Sequence, residues 1–199
     1  MHATDPYAPP SSGFKDQPAG SGELLYSSFW QRVGAYLIDF LIAAPLASLD
    51  YFLGGEVRLL QLYVLVPSQL LALFMFIYMV HKYGGSPGKL VMGLRITMVD
   101  GSPVTMKAAL LRYGVIWALS LLMALSMIVA VMSTPDNSHL SLGYMARSAT
   151  LMEYMPSWYM PLVVLTQVWV WGSLITILCN RKRRAIHDFI AGTVVLRKN

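Results

Sequence analysis

The sequence predicts an all-α membrane protein: four transmembrane helices with a small cytoplasmic β-hairpin or three-stranded element. Two properties of the chain support this fold class. Of 199 residues, 56% are hydrophobic and 13% are charged, whereas a soluble domain usually carries about 25% charged residues. Four apolar segments are also long enough to cross a hydrocarbon core, which takes about 20 helical residues. We therefore expect a multi-pass protein in contact with the lipid bilayer.

Residues 1–28 differ in composition from the rest of the chain. They are rich in Pro, Gly and Ser and contain no apolar run, so they are not expected to bury a core. They also lack the basic and apolar regions of a secretory signal. We expect residues 1–28 to form a disordered cytoplasmic tail and residues 29–198 to form one membrane domain.

The predicted spans cover about residues 33–53, 59–80, 110–132 and 159–179. A loop over residues 82–109 then lies on the same side as both termini, and a loop over residues 133–158 lies on the other side. Of the 15 Lys and Arg residues, Arg58 and Arg147 are the two that fall on the side of the second loop. Because Lys and Arg accumulate in cytoplasmic loops, both termini are expected in the cytoplasm.

Short elements are predicted inside the two loops. Ser86 can cap a short helix with Pro87 at its first position, and Thr105 can cap the helix that enters the third span. The stretch "RITMVDGSPVT" predicts a hairpin, because an alternating run meets a turn signal. The C-terminal "TVVLRK" predicts a further strand that completes three strands. In the loop over residues 133–158, "LSLGYMARSATLMEYM" predicts an interfacial helix.

Motifs typical of enzymes and nucleic-acid-binding proteins are weak in this chain. "GGSPG", Gly84 to Gly88, formally matches the G-x-S-x-G nucleophile elbow, but it follows a transmembrane helix and has no room for a large α/β sheet. The single cysteine, Cys179, excludes an intrachain disulfide. The basic run Arg181–Arg184 directly follows the last span, which favours anionic lipid head groups over nucleic acid. We expect no enzyme, no cofactor and no metal site.

Asp39 is the residue of the first span that most needs an explanation. An aspartate at a helix centre costs about 2.5–3.5 kcal/mol on insertion scales, so it is a functional candidate that faces protein or water. Arg32 lies seven residues earlier, on the same face and roughly 10 Å away. The candidate partners of Asp39 are Gln69, Gln167 and Arg112. Two roles stay open, a hydrogen-bonded packing residue and a proton or cation site.

Three blocks carry a family resemblance: "FWQRVGAYLIDFLI", "GGSPGKLVMGLRITMVDGSPVTMKAALLRYG" and "RKRRAIHDFIAGTVVLRK". Together, and in this order, they resemble the RDD family of bacterial membrane proteins, which is named for an arginine and two aspartates. The resemblance implies that Arg32 and Asp39 are two of these residues and that Asp188 is the third. It also implies a location in the bacterial cell (inner) membrane.

Two functions remain open at this point. The resemblance implies transport of a small ligand or cation/proton exchange, for which Asp39 would be the titrating group. Four spans are few for a monomeric carrier, so transport would need a homo-oligomer. The alternative is a non-transporting scaffold or an accessory subunit of another membrane protein, in which Arg32 pairs with Asp188 and Asp39 fixes helix packing.

Overall fold

The four predicted spans are confirmed. A computed structural model of the chain describes residues 26–54, 57, 59–135, 142–180 and 182–197. Within these residues, four helices are long and apolar enough to cross a membrane, and they cover Phe29–Leu53, Leu60–Tyr83, Met106–Ser133 and Tyr159–Cys179. Inside a bilayer the backbone must satisfy its own hydrogen bonds, so apolar runs of this length form continuous helices.

The elements follow one another in a simple order. The first span is α1 (Phe29–Leu53), and the second joins α2 (Leu60–Leu73), a π-helical segment (Phe74–Tyr78) and α3 (Met79–Tyr83). The third and fourth spans are α5 (Met106–Ser133) and α7 (Tyr159–Cys179), with α6 (Tyr144–Glu153) between them. The predicted cap of the third span is confirmed, because Thr105 Oγ1 accepts a hydrogen bond of 3.1 Å from the backbone N–H of Ala108. The helix α6 lies where the sequence predicted a helix in the loop over residues 133–158, and its position at the membrane interface stays a prediction.

Four short elements lie together at one end of the bundle, and we call them the cap. The cap consists of α4 (Pro87–Val91), β1 (Leu94–Met98), α8 (Ile186–Ala191) and β2 (Thr193–Arg197). The helix α4 packs on α1, whereas α8 packs on α5 and α7. Apolar side chains of β1 and β2 join those at the ends of the spans in one buried core, which includes Val80, Ile96, Ala109 and Val195.

Among the described residues the sheet has two strands rather than three, and the hairpin predicted for residues 95–105 is wrong. The predicted C-terminal strand is confirmed as β2. The strand β1 pairs antiparallel with β2, with Ile96 opposite Val195. The chain does turn back after β1, but Pro103 has no N–H to donate to a ladder. Val104 is buried in the core instead, and Thr105 is occupied as a helix cap.

The N-terminal end of the described chain lies against β2. Tyr26 forms an isolated bridge with Leu196, and the Ser27 N–H donates to the carbonyl oxygen of Val195 at 3.0 Å. Residues 26–28, which the sequence placed in the tail, therefore belong to the packed domain, while residues 1–25 lie outside the described part. Because this segment, β1 and β2 are in contact, both ends of the domain lie at the capped end of the bundle.

Candidate functional site

Asp188 is the centre of a buried cluster of charged side chains. It lies in the first turn of α8 and is fully buried. Its carboxylate accepts hydrogen bonds from Arg32 Nη1 at 3.0 Å, from Arg112 Nη1, and from Thr193 Oγ1 at 3.1 Å. It also accepts the backbone N–H of Ala185 at 3.0 Å. The predicted pairing of Arg32 with Asp188 is therefore present, and Arg112 is a second partner.

The arginines of this cluster join elements that are far apart in sequence. Arg32 Nε donates to Ser27 Oγ at 2.8 Å, and Arg112 Nη1 donates to Thr193 Oγ1 at 2.7 Å. Arg184 binds backbone carbonyl oxygens of Asp188 and Thr193 at 2.8 and 3.0 Å. The N-terminal segment, α1, α5, α8 and β2 thus meet at one carboxylate. The cluster therefore fixes α8 and β2, two of the four cap elements, to the first and third spans.

Asp39 has a different set of partners from those predicted. Its Oδ2 accepts the hydroxyl of Ser86 at 2.6 Å, and its Oδ1 accepts the backbone N–H of Gly88 at 2.7 Å. The first N–H groups of a helix have no partner inside the helix, so Asp39 caps α4 from a neighbouring helix. Ser86 stands at the N-cap position as predicted, but its hydroxyl makes no cap hydrogen bond within α4.

Gly88 permits this close approach of α4 to α1. A Cβ atom at this position would lie 2.0 Å from the carbonyl oxygen of Ala35 and 2.9 Å from Asp39 Oδ1. Only a residue without a side chain fits there. The glycine of the "GGSPG" motif is therefore explained by helix packing, and the serine by its hydrogen bond to Asp39.

The predicted partners of Asp39 lie elsewhere. Gln69 Oε1 accepts from Trp117 Nε1 at 3.1 Å, so it joins the second span to the third. Gln167 lies on an exposed face of α7, and Arg112 is bound to Asp188. These three assignments were wrong because the partners of Asp39 come from the loop after the second span, including a backbone N–H that no side-chain pattern reveals.

Lys89 is a buried cation that the sequence interpretation missed. Its Nζ lies 4.4 Å from the centre of the Tyr36 ring and donates to Ser86 Oγ at 3.3 Å. Among the described residues no salt bridge joins it to a carboxylate. Burial lowers the pKa of Lys89 from its ordinary value. The sequence contains no signal for this burial, because the close packing of the neighbouring Gly88 on α1 is visible only in the structure.

A cavity of about 470 Å³ lies between the spans and the cap. It adjoins the Asp188 cluster through Arg112 and the surroundings of Asp39 through Lys89. Most of its wall is apolar, from all four spans. Its polar lining comes from Tyr36, Lys89, Arg112, Tyr113, Ser173 and His187. Asp39 and Asp188 do not line it. The sequence did not predict this cavity, because it depends on the distance between helices.

Among the described residues, no group of three or more His, Cys, Asp or Glu side chains could hold a metal ion.

The fold and the buried Arg–Asp cluster define a multi-pass membrane protein with a polar cap on a four-helix bundle. The family model that matches this chain is that of the RDD family, over residues 26–192. The match covers most of the chain and contains Arg32, Asp39 and Asp188, so the chain belongs to the RDD family. No curated protein and no solved structure matches it.

Proposed function

We propose that the chain is a non-transporting, non-enzymatic membrane scaffold or accessory subunit, in which the Arg and Asp side chains hold the cap on the spans. The environment of Asp39 is the observation that supports this proposal. The residue is 3% exposed, and both of its carboxylate oxygens bind groups of α4 and its N-cap. A carboxyl group used in this way stabilises packing and needs no exchange of protons or ions.

The alternative, cation/proton exchange at Asp39, receives less support from the geometry. A transported cation needs a path to the carboxylate, and Asp39 is absent from the lining of the cavity. That cavity is also lined by Lys89 and Arg112. Two cations at close quarters repel a third, particularly where water is scarce.

We further propose that the capped end faces the cytoplasm of a bacterial cell. The support comes from the sequence, in which all but two of the 15 Lys and Arg residues are predicted to lie on this side of the membrane. The exposed basic residues beside the last span would then contact anionic head groups of the inner leaflet.

A comparison of Asp39→Asn with the wild type in proteoliposomes tests the proposed function. Asn keeps the size of the side chain but removes its charge and one acceptor. We expect no sodium-dependent proton flux above that of empty vesicles for either protein. We also expect a lower unfolding temperature for the variant in detergent, since a hydrogen bond to a charged group contributes about 1.5–3 kcal/mol.

Asp100→Asn is the matched control for this experiment. Asp100 is an exposed aspartate, and its hydrogen bonds go to Ser102 in its own turn. The control should lower the unfolding temperature less than Asp39→Asn does. A sodium-dependent flux in the wild type that disappears in Asp39→Asn, with unfolding temperature unchanged, would contradict the scaffold and support exchange.

A further inference from the structure

The cavity has a cationic end and an apolar end. Lys89 and His187 reach it from the cap, and Arg112 reaches it from the first turns of α5. Trp169 lines it from a position ten residues before the end of α7 at Cys179, which is roughly 15 Å along the helix axis. The polarity of the cavity therefore follows the membrane normal, with charge at the cap and apolar walls toward the middle of the bundle.

The buried charges around the cavity do not balance. Three cations, Arg32, Lys89 and Arg112, are buried at this end of the bundle together with two carboxylates, Asp39 and Asp188. The net charge of this group is thus positive by one. A buried charge without a counter-charge is costly, and Lys89, which lines the cavity, is the cation that lacks a salt bridge among the described residues.

A second observation also indicates a missing polar partner. Ser173 lines the cavity from α7 and is 8% exposed, and its hydroxyl oxygen has no hydrogen-bond partner in the described part of the chain. His187 lies nearby. Burial and the neighbouring cations hold the pKa of His187 well below its usual range, so its imidazole is neutral at pH 7 and can donate or accept a hydrogen bond.

The cavity is bordered by side chains that also face the surrounding membrane. Leu37 of α1 and Val170 of α7 line it and are 59% and 41% exposed. An occupant can therefore enter from the bilayer between the first and fourth spans. Its volume of about 470 Å³ lies within the range of small-molecule sites, about 300–1,000 Å³.

We propose that this cavity binds an anionic phospholipid, with its phosphate at Lys89 and one acyl chain along Leu37, Phe76 and Trp169. The positive charge, the unpaired Ser173 hydroxyl and the apolar depth all fit this occupant. Lys binds phosphate as a point charge. A helix of a second copy fits less well, because its apolar side chains would cover the walls but offer Lys89 no counter-charge. A free anion would leave the apolar walls without a partner.

Tryptophan fluorescence of the full chain in vesicles can test the lipid directly. Bromine on an acyl chain quenches a tryptophan that it contacts, and Trp169→Phe identifies the signal of the cavity by subtraction. Brominated phosphatidylglycerol should quench Trp169 at a mole fraction about tenfold lower than brominated phosphatidylcholine does. Equal quenching by the two lipids in the wild type would overturn the proposal without any further variant.

Two variants with matched controls test the residues. Lys89→Gln removes the cavity cation that has no salt bridge among the described residues, and Lys107→Gln removes an exposed charge at the same end of the bundle. Ser173→Leu fills the cavity, and Gln167→Leu adds the same side chain on an exposed face of α7. Lys89→Gln and Ser173→Leu should each raise the half-quenching fraction of phosphatidylglycerol at least about tenfold. The two controls should change it less than about twofold.

The remaining outcomes each decide against the proposal in a different way. If Lys107→Gln weakens the quenching as much as Lys89→Gln does, the lipid is held by general surface charge. If millimolar inorganic phosphate or glycerol phosphate restores the fluorescence, the site takes a soluble anion. If Ser173→Leu folds normally and has no effect, the acyl chain lies elsewhere. Cross-linking between copies that protects Trp169 from both lipids would indicate a second copy.

Discussion

Gly88→Ala should separate α4 from the first span. The new Cβ would lie 2.0 Å from the carbonyl oxygen of Ala35. Even a contact of 3.0 Å requires a displacement of about 1 Å, which would stretch the 2.7 Å bond between the Gly88 N–H and Asp39 Oδ1 to about 3.7 Å. A contact of that length is no longer a hydrogen bond. The hydroxyl of Ser86, two residues away, would lose its 2.6 Å contact with Asp39 in the same movement.

The energetic cost follows from these two bonds. Each hydrogen bond to a charged group contributes about 1.5–3 kcal/mol, so the substitution should cost about 3–6 kcal/mol. This is a large share of the 5–15 kcal/mol by which a typical domain is stable. Thermal unfolding of the purified protein in detergent, followed by size exclusion, would show the loss as a much lower midpoint.

Gly114→Ala provides the matched control for Gly88→Ala. Gly114 lies inside α5, and a Cβ there meets no atom within 4 Å. Alanine in a helix interior is more favourable than glycine by about 0.5–1 kcal/mol, so this variant should be as stable as the wild type or slightly more stable. If Gly88→Ala also unfolds within about 0.5 kcal/mol of the wild type, the close packing of α4 on α1 is incorrect.

Two further predictions concern Asp188 and its neighbour in α8. Asp188→Asn should destabilise the protein by about 3–5 kcal/mol, because it leaves two buried guanidinium groups without their counter-charge; unfolding in detergent measures the loss. His187→Gln should flatten the dependence of stability on pH below about 6.5. The folded pKa of His187 is lowered, so the unfolded chain binds more protons there and stability falls as the pH falls below 6.5. Unfolding midpoints between pH 7.5 and 5 would show this difference.

Each of these two predictions has a control and a contrary outcome. Glu153→Gln removes an exposed carboxylate from α6 and should change stability by less than about 0.5 kcal/mol. An equally small effect of Asp188→Asn would mean that the cluster is not an ion pair. Gln167→Asn, a change between neutral side chains on an exposed face of α7, should keep the pH slope of the wild type. If His187→Gln keeps that slope as well, the imidazole of His187 is not held neutral.

The second arginine bound to Asp188 makes a charge exchange between Arg32 and Asp188 a poor test of their pairing. Exchanging the charges of Arg32 and Asp188 would restore a simple pair of opposite charges. Here Arg112 binds the same carboxylate, so an arginine at position 188 would face it directly. We therefore expect little rescue from the exchange, and a double-mutant cycle between Arg112 and Asp188 is the better measure of coupling.

The sequence predicted the spans well because each one is a continuous apolar run, and length and hydropathy are local properties. It predicted the pairing of Arg32 with Asp188 through a resemblance rather than through spacing, since 156 positions separate the two residues. It predicted the C-terminal strand that pairs with β1, but it missed the partners of Asp39 and wrongly paired β1 with the segment that directly follows it. Both errors concern which segments meet after folding, and one donor to Asp39 is a backbone N–H group.

Asp39 and Asp188 each accept a backbone N–H group at the start of a short cap helix. Asp39 accepts an N–H of the first turn of α4, and Asp188 accepts the N–H that precedes α8. Lipid gives helices little hydrophobic reason to associate, so polar bonds and close backbone contacts must fix the cap. Since Arg32 holds α8 and Asp39 holds α4, one face of α1 clamps both short helices. Both carboxylates are used up in fixed hydrogen bonds to short helices, which is why we propose a structural role for them rather than proton transfer.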